Sequence, residues 1–523
     1  MGLVIFLKFY SCASSQASID LRLTRADAVK MAREFIHSRG FDTKGFDHAV
    51  IFDADANASV YMQRTQGMRK ANEYIKNGIP IWTWRVRWFK ELDKEGFNVF
   101  INPSSGKIEH FSHSLLEDAA GVDILKDAAE KIALDELGRH NIKIADYDLK
   151  ENSTVKRKNR TDHYFVWERK NFKIAQATYR ITVSVAGDKL SAYSEYLKIP
   201  EDFTRELDKE TSSGIIFTTI CSMVMFLFTI MAAVVLVLKN HAVNQQIWRV
   251  PIILAGCAAF LKMLEFFNEL SFNWINYPNT ISKPLFIVFQ FSDMVHEALV
   301  YASVIFCYVL LGLIMCRNQQ SRQLPVASKF LKRQLMPADV WAVCARGWSL
   351  ALIFLGYVTI FYLIVGKFCG VWRPISTQYS NILSTPMPFL FPLTIALIAA
   401  VNEEFTYRAF MINFVNHKPG WLWFAVFFSA VIWAFGHSGY AVYPAYVRGI
   451  ELTIFGVVFG LAFLRYGIEM VIIAHFTVDA ILGALPLLRS HSFYFIFSGL
   501  VVIGLTVMPA VILYLLRSRK MAV

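Results

Sequence analysis

From about residue 214 onward the chain is a succession of long apolar stretches, and about 20 such residues in a row can cross the hydrocarbon core of a bilayer. The stretches fall at 214–238, 250–267, 286–315, 347–366, 388–416, 421–440, 447–465, 468–488 and 493–516. This pattern predicts an α-helical multi-pass membrane bundle of about nine spans. Residues 18–212 lack such runs and read as a folded α+β region, so the averages of 55% hydrophobic and 18% charged residues describe neither half. The chain divides into a marginal signal or anchor at 1–17, the α+β region at 18–212, a first group of membrane helices with a basic loop at 213–383, and a membrane core at 384–523.

The net charge of +12 has a topological cause and does not point to nucleic acid. Arg317, Arg322, Lys329, Lys332, Arg333 and Arg346 crowd the loop between the third and fourth spans. Arg517, Arg519 and Lys520 lie in the tail, whereas 268–285 is nearly free of Lys and Arg. Basic loops stay in the cytoplasm, so this loop and the C-terminus are expected there, and counting back through the spans puts 18–212 outside the cytoplasm. The stretch that would export it, "MGLVIFLKFYSCASSQAS", is a poor signal because Lys8 interrupts its short apolar part. No cysteine lies between residues 13 and 212, which excludes a disulfide framework or a zinc finger there.

Two stretches of this exported half follow one plan. "LTRADAVKMAREFI" offers Thr24 as a helix cap and sets Ala28, Met31, Ala32, Phe35 and Ile36 on one helical face. Further on, "DAAEKIALDEL" repeats the offsets with Ala129, Ile132, Ala133 and Leu137. Strand-like alternation follows each: Trp82, Trp84, Val86 and Trp88 oppose Thr83, Arg85 and Arg87, and later come "YFVWER" and "YRITVSVAGDKLSAYSEYL". "NPSSGK" and "AGDK" are turn chemistry between strands. Two tandem modules are expected, each a helix on an antiparallel sheet. In this helix-then-hairpin pattern they resemble PepSY-type modules, which implies regulation of a peptidase or response to an extracytoplasmic regulator.

Within the bundle, ionisable side chains sit where they are costly. "NEEFTYRAF" follows an uncharged stretch, 389–401, and places Glu404 and Arg408 four apart, where their charges compensate each other. Glu403 lies about 100° round the helix and lacks that partner. A purely structural reading has all three snorkelling to the interface. The next span carries "WAFGHSGY", with Trp433 and His437 four apart, and a later one carries "MVIIAHFTVDAI", with His475 and Asp479 at the same spacing. Gly456 and Gly460, between them, allow close helix approach. An aspartate in a span marks function by default. Such a set can hold a divalent metal such as zinc through Glu403, His437 and His475, or run acid–base hydrolysis directly from a buried carboxylate.

Glu403-Glu404-x-x-x-Arg408, then Trp433-x-x-x-His437, then His475-x-x-x-Asp479, in this order on separate apolar helices, resemble the motifs of the CPBP intramembrane protease family. That family includes type II CAAX prenyl endopeptidases and bacteriocin-processing relatives, and the resemblance covers 385–490. It implies an endopeptidase acting on membrane-anchored peptides or proteins. Glu403 would activate water, with His437 assisting or co-ligating a metal. His475 and Asp479 would steady the oxyanion or complete a metal site, and Glu404 with Arg408 would brace the helix. Two positions depart from the pattern: Trp433 stands where Phe is usual, and Asp479 stands where the prenyl-protease branch has Asn. An ionised Asp cannot donate to an oxyanion as Asn can. Asp479 is therefore expected to orient His475 through a ring N–H, with a protonated Asp or metal ligation as alternatives.

Counted from Trp421 at about 1.5 Å per residue, His437 lands roughly 24 Å along its span, in the opposite half from Glu403 and His475. That holds unless its helix starts later, tilts or bends near Gly436. "VHEALVY" imitates a zinc-protease motif, but Val300 occupies the second histidine position, so His296 and Glu297 are not such a site and hint only at an interhelical bond or polar cavity. Two further classes of function stand beside the endopeptidase: an ion-coupled transporter relaying charge through these groups, and a non-catalytic membrane scaffold with a sensing exported domain.

Overall fold

The computed structural model describes residues 1–238, 245–332, 334–372 and 382–520, so Arg333 of the basic loop and residues 521–523 of the tail lie outside the described residues. Helix α1 (Gly2–Ala13) precedes a first set of elements: α2 (Arg25–Ser38), β1 (Asp47–Ala54), α3 (Ala56–Gln66), α4 (Met68–Lys76), β2 (Trp82–Phe89), β3 (Gly96–Ile101) and β4 (Ile108–Ser114). A second set follows: α5 (Lys126–Arg139), β5 (Tyr147–Lys156), β6 (Thr161–Ile174), β7 (Ala177–Ala186) and β8 (Lys189–Lys198). Thr24 caps α2 in a reciprocal box with Asp27, and α2 buries Ala28, Ala32, Phe35 and Ile36, the face its spacing predicts. Trp84, Val86 and Trp88 are buried on the facing side of β2.

The two predicted modules share one sheet. All eight strands pair antiparallel in the order β1-β2-β3-β4-β8-β7-β6-β5, and the halves join where Phe111 of β4 lies opposite Tyr193 of β8. An open strand edge is a liability, and each half removes one by covering the other's. Ala49 and Ile51 of β1 and Phe89 of β2 dock on Ile275, Tyr277 and Phe286 of the membrane region. Arg87 donates to Ile275 O at 2.7 Å and to Asn279 Oδ1 at 2.6 Å, and the Phe52 N–H donates to Ser384 Oγ at 2.7 Å.

Among the described residues six helices are long and apolar enough to cross a membrane, not the nine or so that hydropathy predicts. They are α6 (Glu201–Leu238), α7 (Arg249–Asn273), α8 (Lys283–Met315), α9 (Pro337–Phe368), α12 (Tyr446–Tyr466) and α13 (Ile468–Leu488). The other three runs are not among them. The 388–416 run becomes α10 (Leu390–Glu403), followed by a π-helix over Glu404–Ile412. The 421–440 run yields only the 14-residue α11 (Leu422–Phe435). The last run lies in the 28-residue α14 (Phe493–Lys520), whose apolar sequence reaches Leu516.

The bundle has two distinct ends. The sheet domain sits at the end formed by the α7–α8 loop and the start of α10. The basic loop after α8 caps the opposite end, where Arg322 donates to Leu464 O at 2.9 Å and Glu469 Oε1 accepts from the Val326 and Ala327 N–H groups. Glu297 makes the interhelical bond its position suggests, to Lys262 at 2.9 Å. The N-terminal segment is a helix packed in the bundle: a Cβ at Gly356 of α9 would meet Gly2 Cα of α1 at 2.6 Å.

Candidate active site

Glu403 closes α10 and Glu404 opens the π-helix, a wider winding that recurs at functional sites. The neighbouring α11 is drawn close by small residues on α12. A Cβ at Gly456 would meet Ala430 Cβ and Trp433 Cε3 at 3.0 Å, and one at Gly460 would meet Val426 Cγ1 at 2.9 Å. Seated this way, Trp433 donates its indole N–H to Glu403 Oε2 at 2.5 Å. The residue that departs from the resemblance therefore bonds directly to the carboxylate expected to activate water.

His437 lies just beyond the end of α11 at Phe435. Its Nδ1 donates to Trp433 O at 2.6 Å, which leaves Nε2 facing Glu403 Oε1 at 3.6 Å. The expected separation of His437 into the opposite half is thus corrected. α10 and α11 each have 14 residues, run from opposite ends and meet midway at about 20 Å along each. The chain breaks near Gly436, as one of the alternatives required.

His475, on α13, is held from both ring nitrogens. Nδ1 is 2.8 Å from Glu404 Oε1, and Nε2 lies 3.4 Å from Asp479 Oδ2 and 3.8 Å from Glu403 Oε2. Two carboxylates thus face the ring, Glu404 at the shorter distance on Nδ1 and Asp479, expected to orient the ring through an N–H, on Nε2. Arg408 Nε stands 3.2 Å from Glu404 Oε2, and both residues are almost wholly buried, at 2% and 0% exposure, which excludes snorkelling. The Arg408 guanidinium lies 4.2 Å from the Trp433 ring centroid and 5.3 Å from that of Phe459. Each of these interactions is strengthened by the dry surroundings.

All six residues expected at the site are therefore linked in one chain of contacts, Arg408–Glu404–His475, with Asp479 and Glu403 on His475 and His437 on Glu403. Among the described residues no group of three His, Cys, Asp or Glu side chains is arranged closely enough to mark a metal site. Glu403 and His437 form the floor of a cavity of about 930 Å³, also lined by Tyr407 and Tyr440. Tyr440 stacks on His437 with ring centroids 5.4 Å apart. A second buried pair, absent from the sequence reading, joins Arg448 to Glu451 on α12 at 2.7 Å, with Tyr362 donating to Glu451 from α9. Its signal is plain in the chain: two ionisable residues three apart inside an apolar run.

Residues 385–481 match the family model described as Rce1-like, type II CAAX prenyl endopeptidase Rce1-like. That range holds Glu403, Glu404, Arg408, His437, His475 and Asp479. This segment is similar to type II CAAX prenyl endopeptidases. The sporulation-killing factor biosynthesis protein SkfC of Bacillus subtilis (strain 168) is 27% identical over 143 residues, a stretch spanning 27% of this chain and 28% of that protein. No solved structure matches the chain.

Proposed function

We propose that this chain is an intramembrane endopeptidase that hydrolyses a peptide bond of a membrane-anchored substrate with water activated by Glu403. The observation that carries the reading is the convergence of His437 and His475, from two other segments of the bundle, on the Glu403 carboxylate at 3.6 and 3.8 Å, with Glu403 and His437 lining one cavity. Glu403 Oε1 faces the cavity beside His437 Nε2 and takes a proton from water as its oxygen attacks the carbonyl carbon. The C–N bond then breaks, and that proton passes to the leaving nitrogen. His475, fixed by Glu404, is the group assigned to steady the developing oxyanion. Arg408 balances Glu404 and keeps that support rigid. Glu403 and the neighbouring histidines carry these steps, and Glu403, His437 and His475 are the residues that would hold a metal if one takes part.

The basic loop lies at the end away from the sheet domain, which supports a cytoplasmic loop and C-terminus with the sheet domain outside the cytoplasm. In that setting the sheet domain, built from two PepSY-like halves, is the receiver of an extracytoplasmic regulator. The test is cleavage of a membrane-tethered reporter peptide by the full chain in liposomes. Glu403→Ala is expected to abolish cleavage at an unchanged melting temperature, and turnover retained in that variant would sink the reading. Activity is expected to survive a chelator. Loss that zinc restores would move the chemistry to a metal-assisted step.

A further inference from the structure

The cavity above Glu403 does not end inside the bundle. α3 of the sheet domain contributes Ala56, Asn57 and Val60 to its wall, and Asp208, Thr211, Thr218 and Ser222 of α6 continue it down toward His437. α6 starts directly after β8, the strand at the centre of the sheet, and is pinned to the turn behind His437. Thr211 Oγ1 lies 2.8 Å from Tyr443 Oη, the Gly439 N–H donates to Thr218 Oγ1 at 2.9 Å, and the Ala445 N–H donates to Glu210 Oε2 at 3.2 Å. A Cβ at Gly214 would meet Ser438 O at 2.3 Å, so this approach requires glycine. Toward the basic loop, by contrast, Phe405, Phe410, Met411, Ile412 and Phe463 fill the core at 5% exposure or less. The polar way to Glu403 faces the sheet domain.

The wall also has a chemical character. Asn57, Thr211, Ser222 and Tyr308 offer neutral donors and acceptors suited to the peptide groups of an extended chain. Its carboxylates are Asp208 and Glu403, and no Lys or Arg occurs among the described lining residues. Such a wall repels an acidic segment and offers no counter-charge for one. Resting on the hydrolase reading above, we propose that the substrate chain reaches Glu403 from the sheet-domain end, with α3 as part of its binding wall, and that the segment accepted there is uncharged or basic and not acidic.

The experiment uses the full chain in liposomes with two membrane-tethered reporters, one carrying lysines and one carrying glutamates beside the cleaved segment. Asn57→Cys is modified with an anionic methanethiosulfonate, with wild type and Glu117→Cys treated identically as controls. Cleavage by modified Asn57→Cys is expected to fall at least fivefold and to return with dithiothreitol, while both controls keep their rates. Asp208→Lys is expected to reverse the preference for the lysine reporter. Rates within twofold after modification, together with an unchanged preference in Asp208→Lys, would overturn the proposal while leaving the hydrolase reading intact. Failure of wild type to cleave either reporter would instead sink the hydrolase reading itself.

Discussion

Replacing Arg408 with leucine tests the electrostatic frame of the site. The guanidinium Nε lies 3.2 Å from Glu404 Oε2, with both residues buried. Two unit charges at that separation attract by about 5 kcal/mol at an effective dielectric of about 20. A desolvated guanidinium on the Trp433 face adds about 2 kcal/mol. Against this stand the cost of stripping water from both ions and the Arg408 Nη1 and Nη2 groups, which have no hydrogen-bond partner among the described residues. Arg408→Leu removes the attraction but leaves Glu404 buried, so the expected loss of stability is about 3–5 kcal/mol. The double variant Glu404→Gln/Arg408→Leu removes both ions and leaves His475 an amide oxygen to bond, so it is expected to lose only about 1–2 kcal/mol. Thermal unfolding in mild detergent, followed by tryptophan fluorescence, measures both. A single variant within about 1 kcal/mol of wild type, or a double variant no more stable than the single one, would refute the claim that these charges hold each other.

Two further outcomes follow from single contacts. Trp433→Phe installs the residue usual in the resembling family and removes the N–H that holds Glu403 Oε2. A hydrogen bond to a charged group contributes about 1.5–3 kcal/mol, so kcat for the tethered reporter is expected to fall about 10- to 100-fold with KM little changed, and an unaltered kcat would show that the bond does not position the carboxylate. In the sheet domain, burial, with the Glu195 charge adding to it, pushes the Glu109 carboxyl from its ordinary 4.5 up to about 8, against the opposing pull of the Asn102 amide. A folded-state value above the unfolded one means that Glu109 favours folding most below pH 4.5 and loses that contribution as pH rises toward 8, by about 5 kcal/mol in all. Glu109→Gln should therefore gain stability over wild type steadily from pH 5 to pH 8, and a difference that does not change with pH would show that the carboxyl is not buried as described.

What was legible in the chain, and what was not, divides along the range of the interaction. The pairs Glu404–Arg408 and His475–Asp479 and the buried face of α2 depend on spacing within one helix, which any stretch of sequence displays. The Trp433–Glu403 and His475–Glu404 bonds cross between helices, and the first depends on Gly456 and Gly460 of a third helix to seat α11. Likewise the β4–β8 pairing that fuses the two halves of the sheet joins residues far apart in sequence. Local pattern gave the parts and could not give their contacts.

Two of the three miscounted spans are a different matter, because they fail where the chemistry is. Hydropathy sums residues and takes no account of whether the helix through them survives. The 388–416 run passes from α10 into a π-helix at Glu404, and the 421–440 run loses its helix at Gly436. Irregular backbone at membrane depth is tolerated only where protein or a polar cavity satisfies it, and Gly436, His437 and Gly439 line the cavity. The break at Gly436 turns His437 Nε2 toward Glu403, and the wider winding at Glu404 carries the carboxylate that bonds His475. Had either run stayed one uninterrupted helix, hydropathy would have counted it correctly and these groups would have kept the directions of a regular spiral. Local rules fail where a functional site requires them to, and here the two failures sit on either side of Glu403.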